Sequence, residues 1–587
     1  MKNEFYNLGV VFFKNQQYDE AIEIFEKALQ LNPGLINACN YIGNSFQEKK
    51  QFDKAIRYYE KALQINPSDP TAYMNIGIAC HNTEHFDKAV EYFKRAIYLN
   101  PNIEEAYNYM GLTLIIQGKL EEALKSYRSL LQINPSSFIA LNKTGSILRH
   151  QGKLNESETY YRIAMQIHQN NLIAHESLLM GMLYNPCHDP QTIFSEHLRF
   201  AKHYAEALSS NITTHANERI TTRRLKIGYI SPDFKRHPVS HFIEPVLMLH
   251  DRKDFEIFCY GNVLVPDEVT ERLQSYADHW RSIVGLSDDE AAELIRKDLV
   301  DILVDLAGHT GGNRIFIFAR KPAPIQVTWI GYPATTGLST IDYKIVDSYT
   351  DPPGMTEQFY TEKLIRLPES FVCYHPYNNS PEVNTLPVLT SGHVTFGSFN
   401  DFAKVTPEVF ILWGRILKAI PDSYLILKNK SLSDMATCNY ARDMFTQQGI
   451  TAERIELLPR QPSIRAHLSI YNKVDIGLDT FPYNGTTTTC EAMWMGIPVI
   501  TLTGNTHAGR VGVSLLSNVG LTELIARTQD EYVEIAIKLA NDIEKLHFLR
   551  DSLRDMVARS PLTDTRQFTI YLEQCYRKMW ENWCELN

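Results

Sequence analysis

No run of this sequence is apolar for the roughly 18 residues that a helix needs to cross a bilayer. The opening MKNEFYNLGVVFFKNQQYDE holds too short an apolar stretch for a secretory signal. Cysteine is sparse: nine residues lie scattered from Cys39 to Cys584 without one C-x-x-C pair, which excludes a disulfide framework and the usual zinc spacings. Positive charge is not in excess either. The net charge is -10 and no basic cluster stands out, so neither nucleic acid nor an anionic membrane is expected as a partner. A reduced, cytoplasmic protein is the expectation. The phosphate-cradling G-x-x-x-x-G-K-[ST] motif is missing. So is any D-x-D triplet, the usual carboxylate pair for a metal–diphosphate bridge.

What is present first is a repeat. Glycines fall at Gly9, Gly43, Gly77, Gly111 and Gly145, and prolines at Pro33, Pro67, Pro101 and Pro135. Both series advance by the 34-residue tetratricopeptide period. Ala21, Ala55, Ala89 and Ala123, the aromatics Phe25, Tyr59, Phe93, Tyr127 and Tyr161, and then Ala28, Ala62, Ala96 and Ala164 keep the same spacing. Small residues let paired helices approach, and a proline after "LN" or "IN" stops the second helix. The fifth repeat has decayed, with Ser157 and Gln169 where alanine and proline are due. A stack of such units suits recruitment of extended peptide segments, and Asn7 and Asn75, two residues before a repeat glycine, are candidate amides for holding a peptide backbone. Tyr41, Tyr109 and Lys143 interrupt that ladder.

From about Leu225 the texture changes to short apolar or β-rich runs: LKIGYIS, FEIFCYGN, VDILVDLAG, IQVTWIGYP and DYKIVDS. After the turn-rich YHPYNNSPEVNTLPVLTSG comes a second series, VTFGSFN, SYLILKN, RIELLPR, VDIGLDTF and IPVITLTG. The pattern predicts tetratricopeptide repeats over 1–169, a helical linker over 170–222, one α/β lobe over 223–385 and a second over 386–560. A helix over 561–587 is expected to pack back on the lobes. Two doubly wound lobes bring the carboxyl ends of their strands to a shared cleft.

The stretch LDTFPYNGTTTTCEAMWMGIPVI reads as strand, turn and helix, with four threonines in the helix's first turn. Free N–H groups and the positive end of the helix dipole favour an anion there, so Thr487 and Thr488 are candidate phosphate contacts. Glu491, one turn in, is placed to accept from both hydroxyls of a ribose. Lys404, in GSFNDFAKVTP just past a strand end, can meet charge growing on a leaving diphosphate. His237 and His241, in SPDFKRHPVSHF, are four apart, but no H-E-x-x-H pattern or third ligand accompanies them, so a positioned imidazole is expected rather than a metal site. LAGHTGG brings His309 to a strand end among glycines that allow close approach of a ligand.

In this order, after tetratricopeptide repeats, SPDFKRHPVSHF, DLAGHTGG, KPAPIQVTWIGYPATTG, VTFGSFNDFAKVTP, LDTFPYNGTTTTCEAMWMGIPVI and HAGRVGVSLL resemble the family of protein O-GlcNAc transferases and SPINDLY-type protein O-fucosyltransferases. The resemblance covers nearly the whole chain. It implies a tetratricopeptide solenoid followed by an α/β glycosyltransferase-B fold of two Rossmann-like lobes. It implies an inverting, metal-independent transfer, without a cofactor, from a nucleotide sugar to serine or threonine hydroxyls of protein acceptors recruited through the repeats. Carried over by position, His237 matches an active-site histidine, Lys404 the lysine that stabilises the departing diphosphate, His467 an imidazole beside the base, Thr487 and Thr488 diphosphate contacts, and Glu491 a ribose contact.

Asp401 stands where the animal O-GlcNAc enzymes have glutamine, and Ile464 where they have a base-contacting lysine, a role Arg465 could take over. RHPVSH, Asn484 before Gly485, and Arg510 in HAGR look more like the GlcNAc branch, whereas FAKVTP and TTTTCE are shared with the fucosyl branch. UDP-GlcNAc is therefore the expected donor, with GDP-fucose and UDP-glucose open as alternatives. The contrasting expectation is a scaffold whose lobes sense a nucleotide sugar without catalysis.

Overall fold

The repeat glycines each lie beneath the aromatic ring of their own repeat. In the computed structural model, which describes residues 2–212 and 214–585, a Cβ built on Gly9 would come 2.7 Å from the Phe25 ring, and one on Gly145 would come 2.7 Å from Tyr161. No side chain other than hydrogen fits there. The glycine therefore sets the spacing of the two helices in each repeat, and the aromatic sixteen residues on fills the gap that its missing side chain leaves. The helices run from Lys2–Lys14 and Tyr18–Leu31 through to Phe138–His150 and Leu154–Ile167. The periodic alanines from Ala21 to Ala123 and from Ala28 to Ala96 are fully buried.

The chain forms two compact units, and the second holds the helices Leu172–Tyr184 and Pro190–Tyr204 together with both α/β lobes. In the first lobe β1 (Leu225–Ser231), β2 (Phe255–Gly261), β3 (His279–Ser282), β4 (Ile302–Asp305), β5 (Ile325–Thr328), β6 (Tyr343–Asp347) and β7 (Lys363–Leu367) make one sheet in the order β3-β2-β1-β4-β5-β6-β7. Every pairing is parallel, with Ile227 opposite both Ile257 and Ile302. A parallel sheet must be covered on both faces, and this explains why β1 and β2 are apolar almost throughout. One face carries Ile295, Ile315 and Phe318. The other carries Phe568, Leu572, Tyr576 and Trp580 of the helix Thr565–Glu585, which returns from the end of the chain to cover the first sheet.

The second lobe holds β8 (Thr395–Ser398), β9 (Tyr424–Lys428), β10 (Ile455–Leu458), β11 (Ile476–Leu478), β12 (Val499–Leu502) and β13 (Ile525–Ala526), in the order β10-β9-β8-β11-β12-β13. All its pairings are parallel too. Strand order reverses between β1 and β4 in the first lobe and between β8 and β11 in the second. At such a switch point the loops leaving adjacent strands diverge and open a crevice. Among the described residues no helix is long and apolar enough to cross a membrane.

Candidate active site

The four loops at the two switch points carry the chemistry-bearing motifs. His237 follows β1, the glycine-rich turn at Gly308 follows β4, Lys404 follows β8, and the Phe481–Gly485 turn follows β11. Three of these loops, with Thr310 beyond the fourth, line one open cleft of about 1190 Å³. Its walls include His237, Asn400, Asp401, Lys404, Tyr483 and Thr486 to Thr488. Tyr184, ending the helix Leu172–Tyr184, adds a ring 5.0 Å from that of Tyr483.

Asp479 organises the second-lobe side of this cleft. It leaves β11 fully buried, accepts from the N–H groups of Thr480 and Gly485 at 2.9 and 2.7 Å, and accepts from the Thr501 hydroxyl at 2.9 Å. Burial pushes its pKa up to about 6 despite those bonds and the nearby Lys404. Asn484 completes the turn. Its amide donates to Thr480 O at 2.9 Å, its side-chain oxygen accepts from Gly512 N–H at 3.2 Å, and its main-chain oxygen accepts from Lys404 Nζ at 2.8 Å. Asn484 is thus a buried brace of the loop. Gly485 has no room for a side chain: a Cβ would lie 2.6 to 2.8 Å from Thr488 Oγ1, Asn400 Oδ1 and Thr489 Oγ1.

The helix Thr487–Trp494 starts at that brace, with Thr486 at its cap making no side-chain capping bond. The first backbone N–H groups have no partner within the helix, and they open beside Thr486, Thr487 and Thr488 on the cleft wall. Thr488 Oγ1 donates to Asn400 Oδ1 at 2.9 Å. Thr489 turns the other way, is buried, and donates to Gly485 O at 3.1 Å. Three threonines face the cleft and the fourth ties down the turn.

Lys404 sits on the short turn Phe402–Lys404, capped by Asp401, whose carboxylate accepts from Ala403 N–H at 3.1 Å. Its ammonium lies 4.0 Å from the centre of the Tyr483 ring. Burial pushes its pKa down to about 8, against the pull of Asp479 and Asp401. A cation held in this way loses much of its hydration before any ligand arrives, so an anion in the cleft gains more from it.

His237 reaches the same cleft from the other lobe. Its Nδ1 accepts from Val239 N–H at 3.3 Å, so the neutral ring carries its proton on Nε2. Burial against the cleft wall, with Lys235 nearby, pushes its pKa down to about 4. At neutral pH His237 is therefore an uncharged donor.

Glu491 is buried, and its Oε2 accepts from His467 Nε2 at 2.8 Å and from the Tyr471 hydroxyl at 3.3 Å. His467 Nδ1 in turn meets the ammonium of Lys428, the last residue of β9. Burial pushes Lys428 down to about 8, against the pull of Glu491. Ile464 and Arg465 line a neighbouring cleft of about 1580 Å³ with Arg236, His241 and Tyr377.

The remaining sequence-selected residues lie elsewhere. His309 is buried, donates Nε2–H to Thr336 O at 2.8 Å, and packs edge-on against Phe200 and Tyr332. It belongs to the joint between the helix Pro190–Tyr204 and the first lobe. Arg510 donates to Tyr349 O at 2.8 Å and so links the second lobe to the first. Its neighbour His507, absent from the sequence-selected set, also links the lobes: Nδ1 lies 2.6 Å from Asp351 Oδ2. Burial alone would raise the Asp351 pKa, but the His507 imidazole holds it down at about 2. In the repeats, Asn75 is buried and donates to Asn44 Oδ1 at 3.0 Å, whereas Asn7 is exposed. Among the described residues no three His, Cys, Asp or Glu side chains are grouped to hold a metal ion.

Helical repeats followed by two doubly wound parallel α/β lobes, with a cation and an open helix N-terminus meeting at the switch point of the second, define the class of protein by its architecture. The chain belongs to glycosyl transferase family 41, whose pattern matches residues 163–381 and 382–572. Tetratricopeptide-repeat patterns match 3–35, 36–69, 70–103 and 104–137. A curated relative from Petunia hybrida, a probable UDP-N-acetylglucosamine–peptide N-acetylglucosaminyltransferase SPINDLY, is 48% identical over 377 residues, 63% of this chain and 40% of the relative. Its counterpart from Solanum lycopersicum is 43% identical over 420 residues, 70% of this chain and 44% of the relative. The chain thus spans less than half the length of these relatives. The solved structure of a mutant O-GlcNAc transferase from Thermobaculum terrenum superposes with a TM-score of 0.82 at 35% identity, covering 88% of this chain and 98% of that one. Its fold is that of the chain described above.

Proposed function

We propose that this chain is a cytoplasmic protein O-glycosyltransferase that moves GlcNAc from UDP-GlcNAc to serine and threonine hydroxyls, with inversion and without a metal ion or other cofactor. The observation that carries the reading is the convergence of Lys404 and the open first turn at Thr487 and Thr488 on one cleft. The names of the relatives and of the Thermobaculum terrenum enzyme support the choice of sugar. The acceptor hydroxyl attacks the anomeric carbon on one face as the diphosphate departs from the other, and the hydroxyl proton passes to an oxygen of the departing diphosphate or to water. Lys404 and the N–H groups and hydroxyls of the first turn take up the charge that develops on the leaving oxygens. His237, neutral and protonated on Nε2, donates to an oxygen of the sugar or of the acceptor rather than carrying positive charge. Protein acceptors are brought by the repeats.

GDP-fucose is the competing donor, favoured by the run Thr486 to Glu491, which matches the fucosyl branch. Purified protein incubated with radiolabelled UDP-GlcNAc, GDP-fucose or UDP-glucose and a host lysate decides between them. Label entering protein bands from UDP-GlcNAc is the expected result. Label from GDP-fucose alone would replace the donor, and no label from any of the three would leave the non-catalytic scaffold.

A further inference from the structure

His467 has no free nitrogen to offer a ligand. Nδ1 faces the Lys428 ammonium and Nε2 faces Glu491 Oε2. An ammonium has only donors, so Nδ1 accepts, and Nε2 keeps the proton that it gives to the carboxylate. A connected line of side chains therefore runs from the end of β9, through the helix Ile464–Ile470, to the first turns of the helix Thr487–Trp494. The Tyr471 hydroxyl lies beside the same carboxylate oxygen, 3.3 Å away, and shares its one proton between it and Thr488 O at 3.2 Å. Among the described residues nothing donates to Glu491 Oε1.

Lys428 is 7% exposed. Its ammonium spends one of three donors on His467 and lies 5.2 Å from the centre of the Phe399 ring. A methionine would fill the same space without desolvating a charge, so packing alone does not account for a lysine at the end of β9. The charge does have an electrostatic consequence. Glu491, which can only accept, already keeps a proton on Nε2, and what the ammonium adds is to keep Nδ1 an acceptor. Without it Nδ1 is open to a second proton, and the imidazolium would pair with the Glu491 carboxylate and compete with any ligand for its charge.

We propose that Lys428 is a positioning residue of the donor site: it keeps Nδ1 of His467 unprotonated, so that the ring stays a neutral Nε2–H donor to Glu491, and thereby holds Glu491 with Oε1 turned to the ribose hydroxyls of a nucleoside diphosphate. This rests on the reading of the cleft as a nucleotide-sugar site. His467 meets the ligand with its ring face only, and Glu491 acts as a fixed acceptor rather than a mobile one. Lys428 itself acts through these two groups.

The test uses the full chain and two probes, UDP and GDP, titrated separately by calorimetry into wild type, Lys428→Met and Lys428→Arg. Histidine 15N spectra are recorded in parallel, with the His467 signal assigned by its loss in His467→Gln. Wild type is expected to bind one of the nucleotides. Lys428→Met should bind that nucleotide roughly tenfold or more weakly, with donor KM raised in proportion and kcat at saturating donor changed less than about threefold. The His467 Nδ1 signal should leave the unprotonated position. Lys428→Arg, which keeps a cation within reach, should recover part of the affinity and the original Nδ1 signal. Unchanged nucleotide affinity in Lys428→Met, or weakened affinity with the His467 Nδ1 signal unmoved, would overturn the proposal. Wild type binding neither UDP nor GDP would instead overturn the reading of the cleft on which it rests.

Discussion

The ammonium of Lys404 donates to the main-chain oxygen of Asn484 at 2.8 Å, across the switch point between β8 and β11. That bond joins the cation to the turn that begins the threonine helix. The two groups expected to neutralise a diphosphate are therefore one preassembled unit.

Lys404→Ala should reduce kcat by about 10²- to 10³-fold, the usual cost of losing a charge-stabilising donor, while UDP still binds by calorimetry. Because Lys404 loses its proton above its pKa of about 8, kcat/KM should fall as pH rises through that value. In the kcat profile the limb should shift upward, since bound diphosphate favours the ammonium. Full turnover in Lys404→Ala would remove the residue from the mechanism.

The threonines should separate by what their hydroxyls hold. Thr487→Val should raise donor KM several-fold and leave thermal stability within about 0.5 kcal/mol of wild type, whereas Thr488→Val should raise donor KM and also cost about 1 kcal/mol through loss of its bond to Asn400 Oδ1. Thr489→Val should act on the fold, costing about 1 kcal/mol through loss of its bond to Gly485 O, with KM nearly unchanged. Gly485→Ala should do both, because its Cβ would meet Thr488, Asn400 and Thr489 at 2.6 to 2.8 Å. Calorimetric melting and donor titration together distinguish the cases.

Much of this was legible in the sequence because periodicity and strand composition are local. The repeat could be read from Gly9 to Gly145, and the longer strands from their apolar runs. β3 (HWRS, half-exposed), β7 (KLIRL) and β13 (two residues) escaped: β3 and β13 carry no apolar run or alternation, and the short apolar stretch of β7 is broken by Arg366. Strand ends also pointed to Lys404, yet the same rule applied to YLILK would have found Lys428 at the end of β9. The direction of a side chain after its strand is a matter of tertiary packing. His309 and Lys404 both follow strands, but Phe200, arriving from a distant helix, covers the former. The contact of His467 with Glu491, 24 residues apart, likewise exists only once β11 separates their two helices.

His309 tests that distinction directly. His309→Phe keeps an aromatic ring against Phe200 and Tyr332 but loses the bond to Thr336 O. Stability should drop by about 1 to 2 kcal/mol, and donor KM should stay within twofold. A large rise in KM with an unchanged melting temperature would return His309 to the ligand site.

The link between Asp351 and His507 carries a pH signature of its own. An unperturbed aspartate titrates at 3.8, and the Asp351 carboxyl is held at about 2 in the folded protein. A carboxyl whose folded pKa is depressed stabilises the fold above its unfolded pKa, and that contribution is lost as pH falls through the folded value. The shift corresponds to about 2 kcal/mol at neutral pH. Asp351→Asn should therefore lower the melting temperature at pH 7, and the difference from wild type should shrink between about pH 4 and pH 2, where wild type loses the same interaction. Because the bond ties the first lobe to the loop before Val511 on the cleft wall, the substitution should also raise donor KM. Melting curves from pH 2 to pH 7 would show a constant gap if the carboxylate at position 351 contributed through packing alone.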